Sequence, residues 1–130
     1  MSYYFSKTID LPFDKATDKV IEALKEEGYG ILTEIDVKAT LKKKLDVDFR
    51  NYKILGACNP QFAHKALLSE DKLGVLLPCN FVVEEHETGE IEVSAVDPLV
   101  SMSGVGNESL AELATEVKDK LNKVIESLNA

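Results

Sequence analysis

The sequence predicts an α+β fold, a two-layer sandwich in which helices cover one mixed or mainly antiparallel sheet. Short segments rich in aromatic and β-branched residues are interspersed with segments whose apolar residues recur at helical spacing. The resulting order, β-α-β-α-β-α-β-β-α, favours helices packed on a sheet that contains a hairpin. No Pro/Gly/Ser-rich linker divides the 130 residues, so we expect residues 1–130 to form a single domain.

The first half of the chain predicts two strands and two helices. Residues 3–11 alternate and are rich in Tyr, Phe, Thr and Ile, which is typical of a strand. Apolar residues then recur at helical spacing between Pro12 and Gly28, and Gly28 is a natural stop for that helix. Residues 29–35 predict a second strand, and Asp36 can cap a short helix whose apolar side comprises Val37, Leu41 and Leu45.

The middle of the chain predicts a strand, a helix and a hairpin. Residues 52–58 form the third predicted strand, and the Asn59-Pro60 pair that follows signals a helix start, which we expect to continue to about residue 69. Residues 73–85 and 90–97 predict a long β-hairpin with its turn at residues 86–89. Pairing Glu85 with Glu90 across that turn would place Cys79 beside Val96.

The last part of the chain predicts a loop and a long helix. Asp97-Pro98 ends the last strand, and residues 99–107, which include Met102, are predicted to be irregular. Ser109 and Glu112 fit a capping box at the start of the final helix. One apolar stripe follows on that helix, and we expect it to pack on the sheet: Leu110, Ala114, Val117, Leu121, Val124 and Leu128.

Composition and charge narrow the function classes. The formal net charge is −8, which is unfavourable for binding nucleic acid. One basic cluster is interpreted as a solvated helix face, with an anion-binding patch as the alternative: Lys38, Lys42, Lys43 and Lys44, with Arg50 and Lys53 just beyond. No apolar stretch of 18 residues predicts a membrane span, and residues 1–5 do not resemble a secretory signal. We therefore expect a cytoplasmic protein without membrane or nucleic-acid partners, in which both cysteines are reduced.

The two cysteines of the chain lie in similar short motifs. Cys58 directly precedes the helix that Pro60 begins, and a helix N-terminus stabilises a thiolate, so this position predicts a lowered pKa. Cys79 follows Pro78, which cannot donate to a sheet and so indicates an edge strand or a bulge that would re-aim the sulfur. The alternative for both is a small, buried and inert side chain.

The two sulfurs are expected to approach each other under one topology. A helical connection usually joins parallel strands, and in that case the end of the third strand lies at the edge toward which Cys79 points. Antiparallel or separated strands could leave the sulfurs distant. The predicted ligand-binding site then collects five residues, with Met102 nearby: Cys58, Asn59, Cys79, Asn80 and Asp97.

Metal and cofactor signals are weak. The candidate metal ligands are Cys58, Cys79 and His64, but none of the spacings typical of zinc sites occurs. No phosphate-binding or dinucleotide-binding motif is present, so the sequence identifies no cofactor.

Three segments carry a resemblance to a known family: residues 29–37, residues 54–60 with their Cys-Asn-Pro triplet, and residues 77–80 with their Pro-Cys-Asn triplet. With Asp97-Pro98 and the last helix, the chain resembles the prokaryotic domain of unknown function 302 over nearly its whole length. The resemblance implies a compact α+β sandwich, dimers, a sulfur-handling context in some relatives and no established activity. It also implies the candidate site residues Glu34, Cys58, Asn59, Pro60, Pro78, Cys79 and Asn80.

Three functions remain open. The leading hypothesis is a small binding module, or a sulfur or soft-metal carrier, whose site surrounds Cys58 and Cys79 and holds a small molecule, a persulfide, Cu(I) or Zn. The first alternative is an enzyme with Cys58 as nucleophile, for which the possible bases are His64, Glu34 and Asp97. The second alternative is a structural or interaction domain with inert cysteines.

We also expect a homodimer. Sheets end in edges that invite pairing, and two-fold association is the commonest oligomeric solution. The hairpin strands, with Phe81, Val82 and Val83, and the last helix are the expected contributors to the interface.

Overall fold

A computed structural model describes residues 2–128 of the chain. Its five strands form one antiparallel sheet in the order β1-β5-β4-β3-β2, and the strands are Tyr4–Ile9 (β1), Gly30–Asp36 (β2), Tyr52–Cys58 (β3), Cys79–Glu85 (β4) and Ile91–Val96 (β5). The helices are Phe13–Glu26 (α1), Val37–Leu45 (α2), Pro60–Ser69 (α3), Pro98–Ser101 (α4) and Glu108–Ser127 (α5). Two short 3₁₀ helices, Asp71–Leu76 and Ser103–Val105, complete the described structure.

The predicted α+β sandwich is confirmed. The core lies between one face of the sheet and the helices α1 and α5, where Val20, Leu24, Phe81, Val83 and Leu121 are fully buried. Burying such a side chain contributes about 1.5–3 kcal/mol relative to leaving it exposed. The predicted apolar stripe of α5 is buried along its whole length: Leu110, Ala114, Val117, Leu121, Val124 and Leu128.

The local helix signals are mostly correct. The side chain of Asp36 accepts a hydrogen bond from the Ala39 amide at the start of α2. The side chain of Asn59 caps α3, and Pro60 occupies its first position, where a missing N–H group costs nothing. α2 differs from expectation because its predicted apolar side is not buried: no residue of the helix is buried, and Leu45 is 65% exposed.

The fourth strand begins later in the structure than the sequence predicted. Residues 71–76 form a 3₁₀ helix, and β4 begins only at Cys79. Pro78 has no N–H group to donate to a sheet, so regular pairing starts after it rather than through it.

The predicted irregular segment at residues 99–107 contains helical structure. Asp97 accepts a hydrogen bond from the Leu99 amide and begins α4 with Pro98 at its first position, as Asn59 and Pro60 do for α3. The predicted cap of α5 is wrong by two residues, because Asn107 rather than Ser109 accepts the first amide hydrogen bond.

The pairing of β3 with β4 is antiparallel, so the parallel crossover, one of the topologies that the sequence left open, does not occur. α3 and the following 3₁₀ helix form a connection that leaves and re-enters the sheet at the same end, so β4 starts where β3 stops.

The predicted register of the β4–β5 hairpin is wrong by one residue. Glu85 pairs with Ile91 and Phe81 with Ala95, because the turn holds the His86 amide on the Glu90 carbonyl.

The edges of the sheet are β1 and β2, not the hairpin strands. β4 lies between β3 and β5, and the side chains of Phe81 and Val83 are fully buried, which removes them from any interface between copies of the chain. Pro78 was expected to mark an edge strand or a bulge, but β4 is an inner strand and pairs with β3 without a register shift from Cys79 onward. A register shift is found in β2, between Ile31 and Thr33. No helix within residues 2–128 combines the length and the apolar character needed to cross a bilayer.

Candidate functional site

A cavity of about 360 Å³ opens beside the ends of β3 and β4. Its floor is formed by Ala57, Cys58 and Cys79, and Pro78 lies beside them. Three further elements form its walls: α3 with Phe62, Ala63, Ala66 and Leu67; α5 with Leu110, Leu113, Ala114 and Val117; and the segment around Met102. Its volume falls within the range of small-molecule sites, roughly 300–1,000 Å³.

The lining of this cavity is almost wholly apolar. Among the described residues that line it, none carries a charged side chain. Leu32 and Leu67 line it while being 67% and 40% exposed, so an apolar rim connects the cavity with the protein surface. Leu32 is the residue that the β2 bulge leaves out of register, which explains how a residue of an edge strand reaches the rim.

The floor of the cavity depends on a close backbone approach at Gly56. A Cβ atom at this position would lie 2.6 Å from Pro78 Cγ and would also overlap the Thr33 hydroxyl. Only glycine therefore lets the Pro78 ring and β2 pack against the β3 backbone immediately before the cavity. This contact packs the Leu77–Pro78 segment against β3, the strand that ends at Cys58.

Both thiols are held in their neutral forms. Burial raises the pKa of Cys58 above its ordinary value, and burial together with the neighbouring Cys58 raises the pKa of Cys79 to about 11. The predicted lowering of the Cys58 pKa is thus wrong. Neither cysteine is disulfide-bonded.

The start of α3 explains why the pKa of Cys58 is not lowered. The Asn59 side-chain oxygen accepts from the Gln61 and Phe62 amides, at 3.1 and 3.3 Å, and Pro60 has no amide hydrogen. The Ala63 amide bonds the Asn59 carbonyl. The donors that would stabilise a thiolate at a helix N-terminus are therefore already occupied, and desolvation decides the pKa of Cys58.

Tyr29 is a cavity residue that the sequence analysis did not identify. It follows the end of α1, where the Gly28 amide bonds the Lys25 carbonyl and the Tyr29 amide bonds the Leu24 carbonyl, an arrangement that needs the positive φ of Gly28. The Tyr29 side chain is 3% exposed and lines the cavity. Burial, then the nearby cysteines Cys79 and Cys58 and then Glu27, raise the pKa of its hydroxyl well above the ordinary value.

The structure brings together only some of the predicted site residues. Cys58, Asn59, Pro78, Cys79 and Met102 all line the cavity. The antiparallel arrangement achieves this because β4 starts beside the end of β3, with Ala57 opposite Cys79.

The other candidates lie elsewhere. Glu34 lies on β2 and forms a salt bridge with Lys53 of β3, at 3.4 Å. Asn80 is exposed on β4, opposite Gly56. Asp97 is buried, but it caps α4 and bonds Lys118 Nζ at 3.1 Å.

His64 and Pro60 also lie outside the lining. His64 is exposed on α3, and Pro60, the first residue of that helix, does not line the cavity. No histidine, aspartate or glutamate is found among the described residues that line the cavity, so none of the expected bases lies beside Cys58.

A polar cluster lies on the hairpin, apart from the cavity. The side chains of Glu84, His86 and Glu92 each offer an oxygen or nitrogen atom that could bind a metal ion, and these atoms lie within 4.8 Å of one another. They are close because Glu84 and Glu92 are direct cross-strand partners. In the hairpin register predicted from the sequence, Glu84 and Glu92 would not lie opposite each other. Both carboxylates already have partners: His86 Nε2 is 2.9 Å from Glu92, and Arg50 contacts Glu84 at 3.1 Å. Within residues 2–128, Cys58, Cys79 and His64 form no comparable cluster.

Comparisons with known proteins agree with this fold. The crystal structure of an uncharacterized conserved DUF302 protein from Bacillus stearothermophilus is similar to the chain with a TM-score of 0.93 and 25% sequence identity, over 99% of this chain and all of that one. No protein of curated function matches the chain. The family model described as "Domain of unknown function DUF302" matches residues 5–128. The chain therefore belongs to the DUF302 family.

Proposed function

We propose that the protein is a binding module that takes up a small, largely apolar molecule in the cavity between α3, α5 and the ends of β3 and β4. The observation that carries this proposal is a cavity of about 360 Å³ whose described lining contains no charged side chain. Apolar walls with a few polar groups are typical of small-molecule sites, and transfer of apolar surface from water provides the driving force.

The rim of the cavity supports the same function. Leu32 and Leu67 are exposed apolar side chains that continue the lining outward. Exposed apolar surface of this kind is unfavourable in water and is often found at ligand-binding grooves. A ligand entering along this path would cover it.

The cysteines serve this module as neutral wall residues rather than as nucleophiles. A thiolate, not a thiol, attacks substrates and transfers sulfur, and burial raises the pKa of both Cys58 and Cys79. An enzyme with Cys58 as nucleophile would also need an adjacent base, and the described lining supplies none.

A soft-metal carrier is the second candidate, favoured by the three sulfur-bearing residues of the lining, Cys58, Cys79 and Met102. Thiolate and thioether ligands select Cu(I), which displaces thiol protons on binding. Native mass spectrometry with Cu(I) and Zn titrated separately tests it. A defined metal stoichiometry that Cys58→Ser and Cys79→Ser each abolish would support this candidate, and metal uptake unchanged by both substitutions would refute it.

We further propose that the module is a cytoplasmic homodimer that associates through its β2 edge. Ile35 of this edge strand is 46% exposed, and an unpaired edge is a template for a second copy. Sedimentation equilibrium of the wild type and of Ile35→Lys tests this association. A mass of 14.4 kDa at all micromolar concentrations would contradict it.

The binding function is tested with N-phenyl-1-naphthylamine, an uncharged dye whose emission rises in apolar surroundings. We expect saturable emission at one dye per chain and strong loss of binding in Ala63→Leu, which adds bulk inside the cavity. Lys65→Leu adds the same side chain on the exposed side of α3 and should bind the dye like the wild type.

The controls separate binding from folding. Circular dichroism and urea unfolding establish that both variants are folded before binding is compared. Wild-type protein that gives no saturable emission, or a folded Ala63→Leu variant that binds as tightly as the wild type, would contradict the proposed function.

A further inference from the structure

A second cleft, of about 400 Å³, lies directly beside the cavity. The cavity and this second cleft have three lining residues in common, Met102, Leu110 and Ala114. Leu110 and Ala114 lie one turn apart on α5 and are buried, whereas Met102 is half-buried at the end of α4. The two spaces are therefore neighbours that share one wall.

The two spaces differ in polarity. Among the described residues, the cavity has no charged side chain in its lining, whereas the second cleft is also lined by Ser103, Asn107 and Glu108. Ser103 and Glu108 are exposed, so the second cleft is in contact with water. Apolar surface gains by leaving water, and a polar group loses by it unless it finds hydrogen bonds. A molecule with one apolar part and one polar part would therefore match the two spaces.

Met102 is the member of the shared wall that can move. Leu110 belongs to a buried cluster between α3, α5 and the first 3₁₀ helix, which holds its side chain. The backbone of Met102 is fixed, because its amide bonds the Pro98 carbonyl and its carbonyl accepts from the Val105 amide. Its side chain is adaptable, since methionine is unbranched and has three rotatable bonds. A turned Met102 side chain would leave a passage about as wide as itself, which admits a single hydrocarbon chain but not a ring.

We infer that the ligand is a straight-chain amphiphile whose hydrocarbon chain fills the cavity and whose polar head lies in the second cleft, with Met102 turned aside where the chain passes. This inference rests on the proposed binding function and specifies its ligand class. It also makes Met102 a specificity-determining residue, because its side chain decides how long a chain the protein accommodates.

A homologous series of straight-chain alcohols, from hexanol to tetradecanol, measures the length of the site. Each alcohol is titrated in competition with N-phenyl-1-naphthylamine. Every methylene group that is removed from water should raise the affinity about fourfold, and the rise should end at the chain length that fills the site.

Three variants compare the two spaces. Met102→Phe places a ring in the shared wall, so the rise in affinity should end at a shorter chain than in the wild type. Met102→Ala removes most of that wall, and the rise should end at the wild-type length or beyond it. Ala63→Leu obstructs the cavity itself and should weaken every alcohol, hexanol included. Lys65→Leu, on the exposed side of α3, is the control and should give the wild-type series.

NMR on the wild type tests the same inference without a substitution. NOEs from the methylene group next to the hydroxyl of bound dodecanol should reach the methyl group of Ala111, which lines the second cleft and not the cavity. NOEs from the terminal methyl group of dodecanol should reach Ala57 and Val117, which line the cavity and not the second cleft.

Two outcomes would overturn the inference. An affinity rise that ends at the same chain length in the wild type, Met102→Ala and Met102→Phe would show that the chain does not pass Met102. Bound dodecanol without an NOE to Ala111 would show that the head does not lie in the second cleft. Failure of the dye and of every alcohol to bind the wild type would instead refute the proposed binding function, so the two failures are distinguishable.

Discussion

Ala57 and Cys79 are direct cross-strand partners at the end of the antiparallel β3–β4 pair. Because paired residues project to the same face of a sheet, this register places Cys79 on the floor of the cavity beside the last residues of β3. Cys58, next along the chain, reaches the same cavity at the point where β3 ends and α3 begins. The motifs that contain Cys58 and Cys79 are therefore brought together by the antiparallel pairing of β3 with β4, and not by a parallel crossover.

The first prediction concerns thiol reactivity. Burial raises the pKa of both cysteines, that of Cys79 to about 11, so each should react with iodoacetamide more slowly at pH 7 than an unstructured thiol. Cys58 is partly exposed and should react before Cys79, which is 8% exposed. Alkylation rates of Cys58→Ser and Cys79→Ser between pH 6 and 11 measure this, with urea-unfolded protein as the reference. A rate profile for Cys58 with a midpoint below pH 8 would contradict it.

The second prediction concerns the cap of α3. Asn59→Ala removes the oxygen that accepts from the Gln61 and Phe62 amides and should lower the free energy of unfolding by about 1 kcal/mol. Asn59→Asp keeps an acceptor at that position and should retain most of the stability. Urea unfolding of the two variants measures the difference, and equal losses in both would show that the cap is not what stabilises α3.

The third prediction concerns Gly56. Gly56→Ala places a Cβ atom against the Pro78 ring and the Thr33 side chain, and such overpacking should cost roughly 1–3 kcal/mol of unfolding free energy. Gly30→Ala, also in a strand, has no atom within 4 Å of the added Cβ and is the matched control. If urea unfolding gives Gly56→Ala and Gly30→Ala the same stability, the close approach beside the cavity is not a constraint.

The fourth prediction concerns the pH dependence of the hairpin. The hydrogen bond with Glu92 raises the pKa of His86 above 6.5, and the same bond lowers the pKa of Glu92 below 4.5. The contribution of His86 is fully present below pH 6.5 and is lost as the pH rises through its raised pKa. The contribution of Glu92 is present above pH 4.5 and is lost as the pH falls through its lowered pKa. The pair should therefore stabilise the fold most between about pH 4.5 and 6.5.

Unfolding of His86→Gln at pH 5.5 and 8.5 measures this contribution. The stability difference from the wild type should be larger at pH 5.5 than at pH 8.5. His64→Gln, at an exposed position on α3, serves as the control for loss of a histidine. A difference for His86→Gln that does not change with pH, or that grows toward pH 8.5, would mean that the His86–Glu92 bond does not form.

Much of the fold could be predicted because its signals are local. Pro12 and Gly28 bracket α1, Asn59 and Pro60 start α3, and the apolar spacing of α5 repeats over its full length. The Asp97-Pro98 pair has the same form as Asn59-Pro60, and it starts α4. Reading that second pair as a helix start would have corrected the segment predicted to be irregular.

The topology could not be predicted because it depends on contacts distant in sequence. Nothing in residues 59–78 alone indicates that two helical segments return the chain to the same end of the sheet, so the direction of β4 stayed ambiguous. The hairpin register was missed by one residue, which separated Glu84 from Glu92 in the prediction. For the site, Cys58 and Cys79 were identified by their motifs, whereas the unpaired hydroxyl of Tyr29 follows only from packing around it.

The most direct test of a ligand-binding cavity is to locate the bound dye by NMR. Intermolecular NOEs from N-phenyl-1-naphthylamine should reach methyl groups that line the cavity on three elements, those of Ala57, Ala63 and Val117. They should disappear in Ala63→Leu and persist in Lys65→Leu. NOEs confined to Val82 and Val96, which lie outside this cavity on β4 and β5, would place the dye elsewhere and contradict the account.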